Sequence, residues 1–283
     1  FGGFILYASY YGCDQSEAQR SLAAKNPLEL KKMIMAASFL RFPITLIYCF
    51  AGLVIGALAL SQPTFLAQIP DAHPDWMMPV FIINYLPNGV IGLLLVAILA
   101  AAMSSLSSAI NSLAAVTVED YCRYQNKVLN NQQYLRYAKI TGAFWGLLTL
   151  TLSFYADDIA PTIIEAINKV GSIFYGPVLA MFLLAITSKK LCSRHVNAGL
   201  IMGLSSNLLL WLLVKDLFWF WWNVTGFVVT LAVSFAAFYI WPKQATELKV
   251  QRYVTALTKT NVLSMLLWFV LIISSCLALP YLV

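Results

Sequence analysis

The sequence is short of charge. Asp, Glu, Lys and Arg make up 11% of its 283 residues, against about 25% in a soluble domain. It has two histidines, His73 and His195, too far apart in sequence to suggest a ligand pair. Its five cysteines (Cys13, Cys49, Cys122, Cys192, Cys276) are scattered and form no Cys-x-x-Cys pattern, which argues against a disulfide framework and against a bound transition metal. Nothing resembles an enzyme's nucleophile–base pair, and no organic cofactor or nucleic-acid partner is expected. What is abundant is apolar: 60% of the residues are hydrophobic. An all-α polytopic membrane protein, its surface facing the lipid bilayer, is the class that fits. The chain begins at Phe1 inside an apolar segment and without Met, so it is read as a piece of a longer protein, with no signal peptide and no soluble domain.

Hydrophobic segments fall at about 1–12, 31–61, 88–121, 134–156, 161–187, 195–214, 217–241 and 261–282. The first is read as the tail of a helix, and the other seven as long enough to span about 30 Å of hydrocarbon. The connecting loops alternate in charge. Loops 13–32, 122–139, 188–194 and 242–260 carry 15 of the 18 Lys and Arg residues, while the loops between them carry only Lys215. By the positive-inside rule the basic loops are cytoplasmic and the C-terminus is external. This topology explains the net charge of +6 without an anionic partner.

Two cations lie inside apolar segments, Arg41 and Lys169. A charge at membrane depth costs several kcal/mol, of order 3 kcal/mol on insertion scales, unless paired or hydrated. Arg41 either snorkels to the interface or faces an aqueous solute cavity. Lys169 has Glu165 one turn back, at pairing distance. In the same segment Gly171, Gly176 and Pro177 predict an interruption, read either as a transporter's broken helix or as a packing kink. The aromatic run DLFWFWWNVTGF (216–227) reads as an interfacial belt. Its Asn223-Val224-Thr225 matches the glycosylation pattern but sits at or inside the membrane, so it is discounted.

The most informative stretch is AAMSSLSSAINSLAAVTVEDY, from Ala101 to Tyr121. At about 100° per residue, Ala101, Ser104, Ser105, Ser107, Ser108, Asn111, Ser112 and Ala115 fall within less than half of the helix circumference. Met103, Leu106, Ile110 and Leu113 take the other side. A hydroxyl stripe must be hidden from lipid. It either braces backbones and neighbouring helices or offers neutral oxygens to a small hard cation. The residues alone leave both readings open.

Three segments together resemble the sodium:solute symporter family, which includes sodium-coupled sugar, sialic acid, iodide, proline and vitamin transporters. SYYGCDQSEAQRSLAAKN (9–26) is similar to its aromatic-pair, Asp-Gln, Gln-Arg, Leu-Ala-Ala-Lys signature. LPNGVIGLLLVAILAAAMSSLSSAINSLAAVTVEDYCR (86–123) is similar to its most typical helix, and NKVGSIFYGPVLAMFLLAITSKK (168–190) to a third segment. The likeness covers all but the last two helices, where it is loose. It implies a leucine-transporter-like fold, two inverted five-helix repeats plus extra helices. Residues 1–283 then form a single transmembrane domain. Residues 1–187 are the second core repeat, incomplete at its start, and 188–283 are peripheral C-terminal helices. The missing N-terminal repeat would be a partner from the same protein.

The resemblance further implies a multi-pass plasma-membrane protein that imports a small polar organic solute by symport with sodium. The alternative is a symporter-like sensor domain of a signalling protein. Residue by residue, it implies a sodium site at Ala101, through its carbonyl, and at the hydroxyls of Ser104 and Ser105. Ser107 and Ser108 match a second sodium site of some members, which also needs an acidic residue from elsewhere. Tyr10 would be the aromatic gate over the solute, with Tyr11 beside it. Arg41 replaces a sugar-contacting lysine and Asn168 a glutamine. Tyr7 replaces a polar amide. A guanidinium favours planar anions such as carboxylates, so these departures shift the expected solute towards an organic anion, with a sugar or polyol as the other choice.

Overall fold

The computed structural model describes residues 1–70, 73–155, 159–160, 162–188, 190–214, 217–242 and 259–278. Among them the secondary structure is helical: α1 (Gly2–Cys13), α2 (Gln15–Leu22), α3 (Pro27–Ser61), α4 (Pro63–Leu66), a 3-10 turn at Pro74–Trp76, α5 (Met77–Tyr85), α6 (Asn88–Gln125), α7 (Asn131–Ser153), α8 (Ile163–Thr187), α9 (Ser193–Leu213), α10 (Phe220–Ile240) and α11 (Lys259–Ala278). The eight hydrophobic segments are α1, α3 and α6 to α11. Asp71, Pro161, Asp157, Asp158, Lys189, Lys215, Asp216, Lys243, Lys249 and Arg252 lie outside the described residues.

Six of these helices (α3, α6, α8, α9, α10 and α11) are long and apolar enough to cross a membrane. The sequence predicts seven spans. The difference is α7, whose 23 residues would reach about 34 Å but whose first turns carry Gln132, Gln133, Arg136 and Lys139.

Local signals set the helix ends. Asn26 accepts from the Glu29 N–H at 2.9 Å with Pro27 in the first turn, so α3 starts before Lys31 and Lys32 and absorbs both. Asn130 and Gln133 form a reciprocal capping box on α7. Thr162 accepts from the Glu165 N–H at 3.3 Å and opens α8. Asn126, the one non-glycine residue with positive φ among those described (φ 49°), closes α6 in the left-handed conformation.

The chain divides into two compact units. One comprises Phe1–Arg20 and Pro70–Val250. Its centre is the packing of α8, α9 and α10, with α1 against α8 and α10, and α7 against α6. The other comprises Ser21–Ile69 and Gln251–Val283. There α3 meets α4 and α11, and Trp268 of α11 packs its ring against Phe39 and Phe42 at 5.6 and 6.3 Å.

The centre of the first unit corrects one expectation. α8 is not interrupted: it runs unbroken from Ile163 to Thr187 with Pro177 inside it. Proline at 177 deprives the Ile173 carbonyl of its helical donor. The amide of Asn207 on α9 supplies the replacement, with Nδ2 donating to Ile173 O at 2.9 Å. Gly176 lets α10 come to backbone contact, because a Cβ there would collide with the Asn223 carbonyl. Pro177 is itself buried against the positions of Gly203 and Gly226. The glycine–proline element therefore serves close helix packing, in the manner of small-residue membrane interfaces.

Two further readings change. Trp222 is 2% exposed and faces Trp211 at 6.3 Å, so the aromatic run is an outward belt only at residues such as Phe218 and Trp221. Glu165 and Lys169 do not pair: among the described residues the one ion pair is Arg20–Glu17.

Asn223 is fully buried and donates to Ser172 Oγ at 3.0 Å and Phe220 O at 3.2 Å. A glycosyltransferase has no access to it in the folded chain. The protein expressed in a glycosylating host is therefore expected to keep the same electrophoretic mobility after glycosidase treatment and after Asn223→Gln. A shift on either would show that this segment is exposed.

Candidate cation site and gating tyrosines

α6 presents two unlike faces. One seats on α7: Ile110 packs over Gly142 and Gly146, the Trp145 Nε1–H donates to Thr117 Oγ1 at 3.0 Å, and Tyr121 meets Tyr137 at 5.9 Å. The serine stripe lies around the helix from that seat. Ala101, Ser104, Ser105 and Ser107 are exposed, and Ser108 is half-buried.

The hydroxyls separate into two kinds. Those of Ser38, Thr45, Thr141, Thr225, Thr230, Ser234 and Ser275 donate to carbonyls three or four residues back. This is the usual way a membrane helix satisfies a hydroxyl. Among the described residues, those of Ser104, Ser105, Ser107 and Ser108 make no hydrogen bond. A hydroxyl left unpaired away from water costs about 1–3 kcal/mol by mutational data. These four lie on an open face, available to water, to a neighbouring helix or to a cation. The same face offers the Ala101 carbonyl, whose oxygen keeps a second lone pair beyond its helical bond. No group of three or more His, Cys, Asp or Glu side chains among the described residues could hold a metal ion. The oxygens gathered here are neutral, suited to a hard monovalent cation and not to a soft transition metal.

Ser112, further along the stripe, behaves differently. It is 4% exposed, accepts from Ser16 Oγ at 3.2 Å and donates to Gln19 Oε1 at 3.2 Å. Both partners are on α2, a helix that no hydrophobic segment marks. The signal that could have found it is Asp14 followed three residues on by Glu17, a helix start.

The residues assigned to the solute are distributed. Tyr10 and Tyr11 form an edge-to-face pair at 5.2 Å, and the Tyr10 hydroxyl donates to Glu17 Oε1 at 3.2 Å. Asn168 on α8 is half-buried, and its Nδ2 donates to its own helix at Ile164 O, 2.7 Å. Its Oδ1 accepts no hydrogen bond among the described residues. No hydrogen bond among the described residues joins Tyr10 or Asn168 directly to the stripe. Arg41 belongs to the second unit, is exposed, and has no ion-pair partner among the described residues. Its carbonyl accepts the Thr45 hydroxyl at 2.8 Å.

This helical architecture, with six helices long and apolar enough to cross a membrane, is that of a polytopic membrane protein. Residues 1–203 match the family model "Sodium:solute symporter family", and the chain belongs to that family. Its members are transporters, multi-pass proteins of the plasma membrane, and sodium is their coupling ion. Relatives include a putative sodium-dependent multivitamin transporter of Drosophila melanogaster, 29% identical over 72% of this chain and 35% of its own length. The sodium/sialic acid symporter NanT of Aliivibrio fischeri is 25% identical over 83% of this chain and 46% of its own. The human sodium/iodide cotransporter is 27% identical over 73% and 32%. The chain thus spans about a third to a half of the length of these relatives.

A solved Na+-coupled sialic acid symporter in a substrate-bound, outward-open state has the same fold, with a TM-score of 0.71 over 87% of this chain and 50% of that one at 22% identity. The chain is therefore an all-α polytopic membrane protein with a leucine-transporter-like fold.

Proposed function

We propose that the protein to which this chain belongs imports a small polar organic anion together with sodium. Residues 1–187 act as the second core repeat, 188–283 as peripheral helices, and an N-terminal repeat completes the sites. Sodium binds the Ala101 carbonyl and the hydroxyls of Ser104 and Ser105. Ser107 and Ser108 serve a second ion where an acidic side chain from the first repeat joins them. Tyr10, backed by Tyr11, closes over the solute, and Asn168 offers its amide oxygen to it. Sodium entering down its gradient stabilises the solute-ready state, and by linkage the solute raises sodium affinity by the same factor. No organic cofactor has a role.

The observation that carries this reading is the clustering of four hydroxyls without internal partners, Ser104, Ser105, Ser107 and Ser108, on one side of α6. The anionic solute rests on the free guanidinium of Arg41. It also rests on relatives named for sialic acid, iodide and, in mouse and human, monocarboxylates, all of them anions. The sensor alternative gains no support from the relatives named above, each of them a sodium-coupled transporter, symporter or cotransporter by name.

The test is uptake by the full-length protein in proteoliposomes. Labelled carboxylates and neutral sugars are offered under an inward sodium gradient or with choline in its place. Saturable accumulation of a carboxylate only with sodium, reduced when Arg41 is changed to Gln, is expected. Equal uptake in choline would reject the coupling. Preference for a neutral sugar, undisturbed in the Arg41→Gln variant, would reject the anion.

A further inference from the structure

The stripe and the gating tyrosine sit on helices with different neighbours. α6 seats on α7, whereas α1 packs on α8 and α10. One short element touches both. α2 follows α1 after the single residue Asp14, whose carboxylate accepts from the N–H groups of Ser16 at 2.8 Å and Glu17 at 3.1 Å. Asp14 thus ends α1 and caps the first turn of α2 in a single residue. Across the link the Tyr10 hydroxyl donates to Glu17 Oε1 at 3.2 Å, and Arg20 Nη1 holds the same oxygen at 2.5 Å. Ser16 and Gln19 are three residues apart and share a face of α2; both engage Ser112. Ser112 in turn lies on the stripe side of an unbroken helix, about 10 Å along its axis from Ser105.

Building on the sodium-symport reading above, we infer that α2 is a coupling strut. Ser112, Ser16, Gln19 and Glu17 are positioning residues through which sodium held on α6 sets the place of Tyr10. A ligand shifts a conformational equilibrium only through contacts that differ between its states. Sodium draws the Ser104 and Ser105 hydroxyls towards itself. α6 moves as a rod, so Ser112 moves with them. Hydrogen bonds weaken steeply as their geometry is lost, so α2 must follow Ser112 or release it. If it follows, Glu17 carries Tyr10 along.

Cys13, at the end of α1 and half-buried, reports on this elbow without altering any of its hydrogen-bonded links. The experiment uses the full-length protein with its other cysteines replaced. It measures binding of labelled sodium and the rate at which maleimide alkylates Cys13, with and without sodium, and no solute is needed. Sodium is expected to change the alkylation rate roughly fivefold or more, the lower end of ordinary coupling between sites. Ser112→Ala and Glu17→Ala should remove the sodium effect on the rate while sodium still binds. Ser112→Thr, which keeps a hydroxyl, and Glu17→Gln, which keeps an acceptor for Tyr10, should retain it. The conservative pair separates loss of the strut from loss of folding. If the unmodified protein binds no sodium, the symport reading fails. If it binds sodium and Cys13 does not respond, or responds equally in both alanine variants, the strut is wrong and the symport reading stands.

Discussion

Changing Ser105 to alanine in the full-length protein is expected to raise the sodium concentration for half-maximal uptake by about 10- to 100-fold. The size of the effect follows from the worth of a polar contact to a charged group, about 1.5–3 kcal/mol, at roughly 1.4 kcal/mol per tenfold. Hard cations of this kind take about six oxygens at short range, and this chain offers three of them within one turn at Ala101, Ser104 and Ser105. The Ser105 hydroxyl donates to nothing among the described residues, so its removal breaks no internal bond and disturbs little besides the ion. Ser275→Ala is the matched control. That hydroxyl is tied to Leu271 O at 2.8 Å, and its loss should leave sodium dependence alone. Uptake measured against sodium concentration decides the matter. An unchanged half-saturation in Ser105→Ala would remove this serine from the site, and a large shift in Ser275→Ala would make the effect non-specific.

The second large effect is on stability. Gly176→Leu is expected to lower the melting temperature of the detergent-solubilised protein by roughly 2–12 °C, or to prevent recovery of monodisperse protein. Overpacking a tight interior costs about 1–3 kcal/mol and sometimes more, and each kcal/mol shifts the melting point of a chain of this size by about 2–4 °C. The position allows no relaxation. A Cβ at 176 meets the carbonyl of Asn223 and lies 2.9 Å from the Phe227 nitrogen. These are backbone atoms of α10, which cannot turn aside as a flexible side chain can. Gly92→Ala on α6 is the contrast, because nothing lies within 4 Å of the added carbon. That variant should melt with the unmodified protein or slightly above it, since alanine favours a helix over glycine by about 1 kcal/mol. Equal melting of the Gly176 and Gly92 variants would mean that α8 and α10 do not approach as described.

The long apolar segments of the sequence correspond to α1, α3 and α6 to α11, because burial of the backbone in lipid leaves a membrane chain few options but helix. Short elements are much harder to read from residue order. α2, α4 and α5 have 8, 4 and 9 residues, too few for a periodic pattern to stand out, although Asp14 and Glu17 mark the start of α2. Pro177 announces a freed carbonyl by its chemistry alone, but not the group that satisfies it. Asn207 lies 34 residues from Ile173, and nothing local links the two. Glu165 and Lys169 have the right spacing and do not meet, since spacing on a helix permits a pair without requiring it.

The stripe shows where the division falls. Its existence and its one-sidedness are properties of a helix of known pitch, so the order of residues from Ala101 to Ser112 is enough to establish them. Which hydroxyls stay free and which are taken up depends on what lies across from each. Ser104 and Ser105 face no partner among the described residues, while Ser112 meets Ser16 and Gln19, more than 90 residues away in the chain. Helical periodicity is a local property and is carried by the sequence alone. The pairing of polar groups between helices is set by packing, and only the assembled fold could decide it.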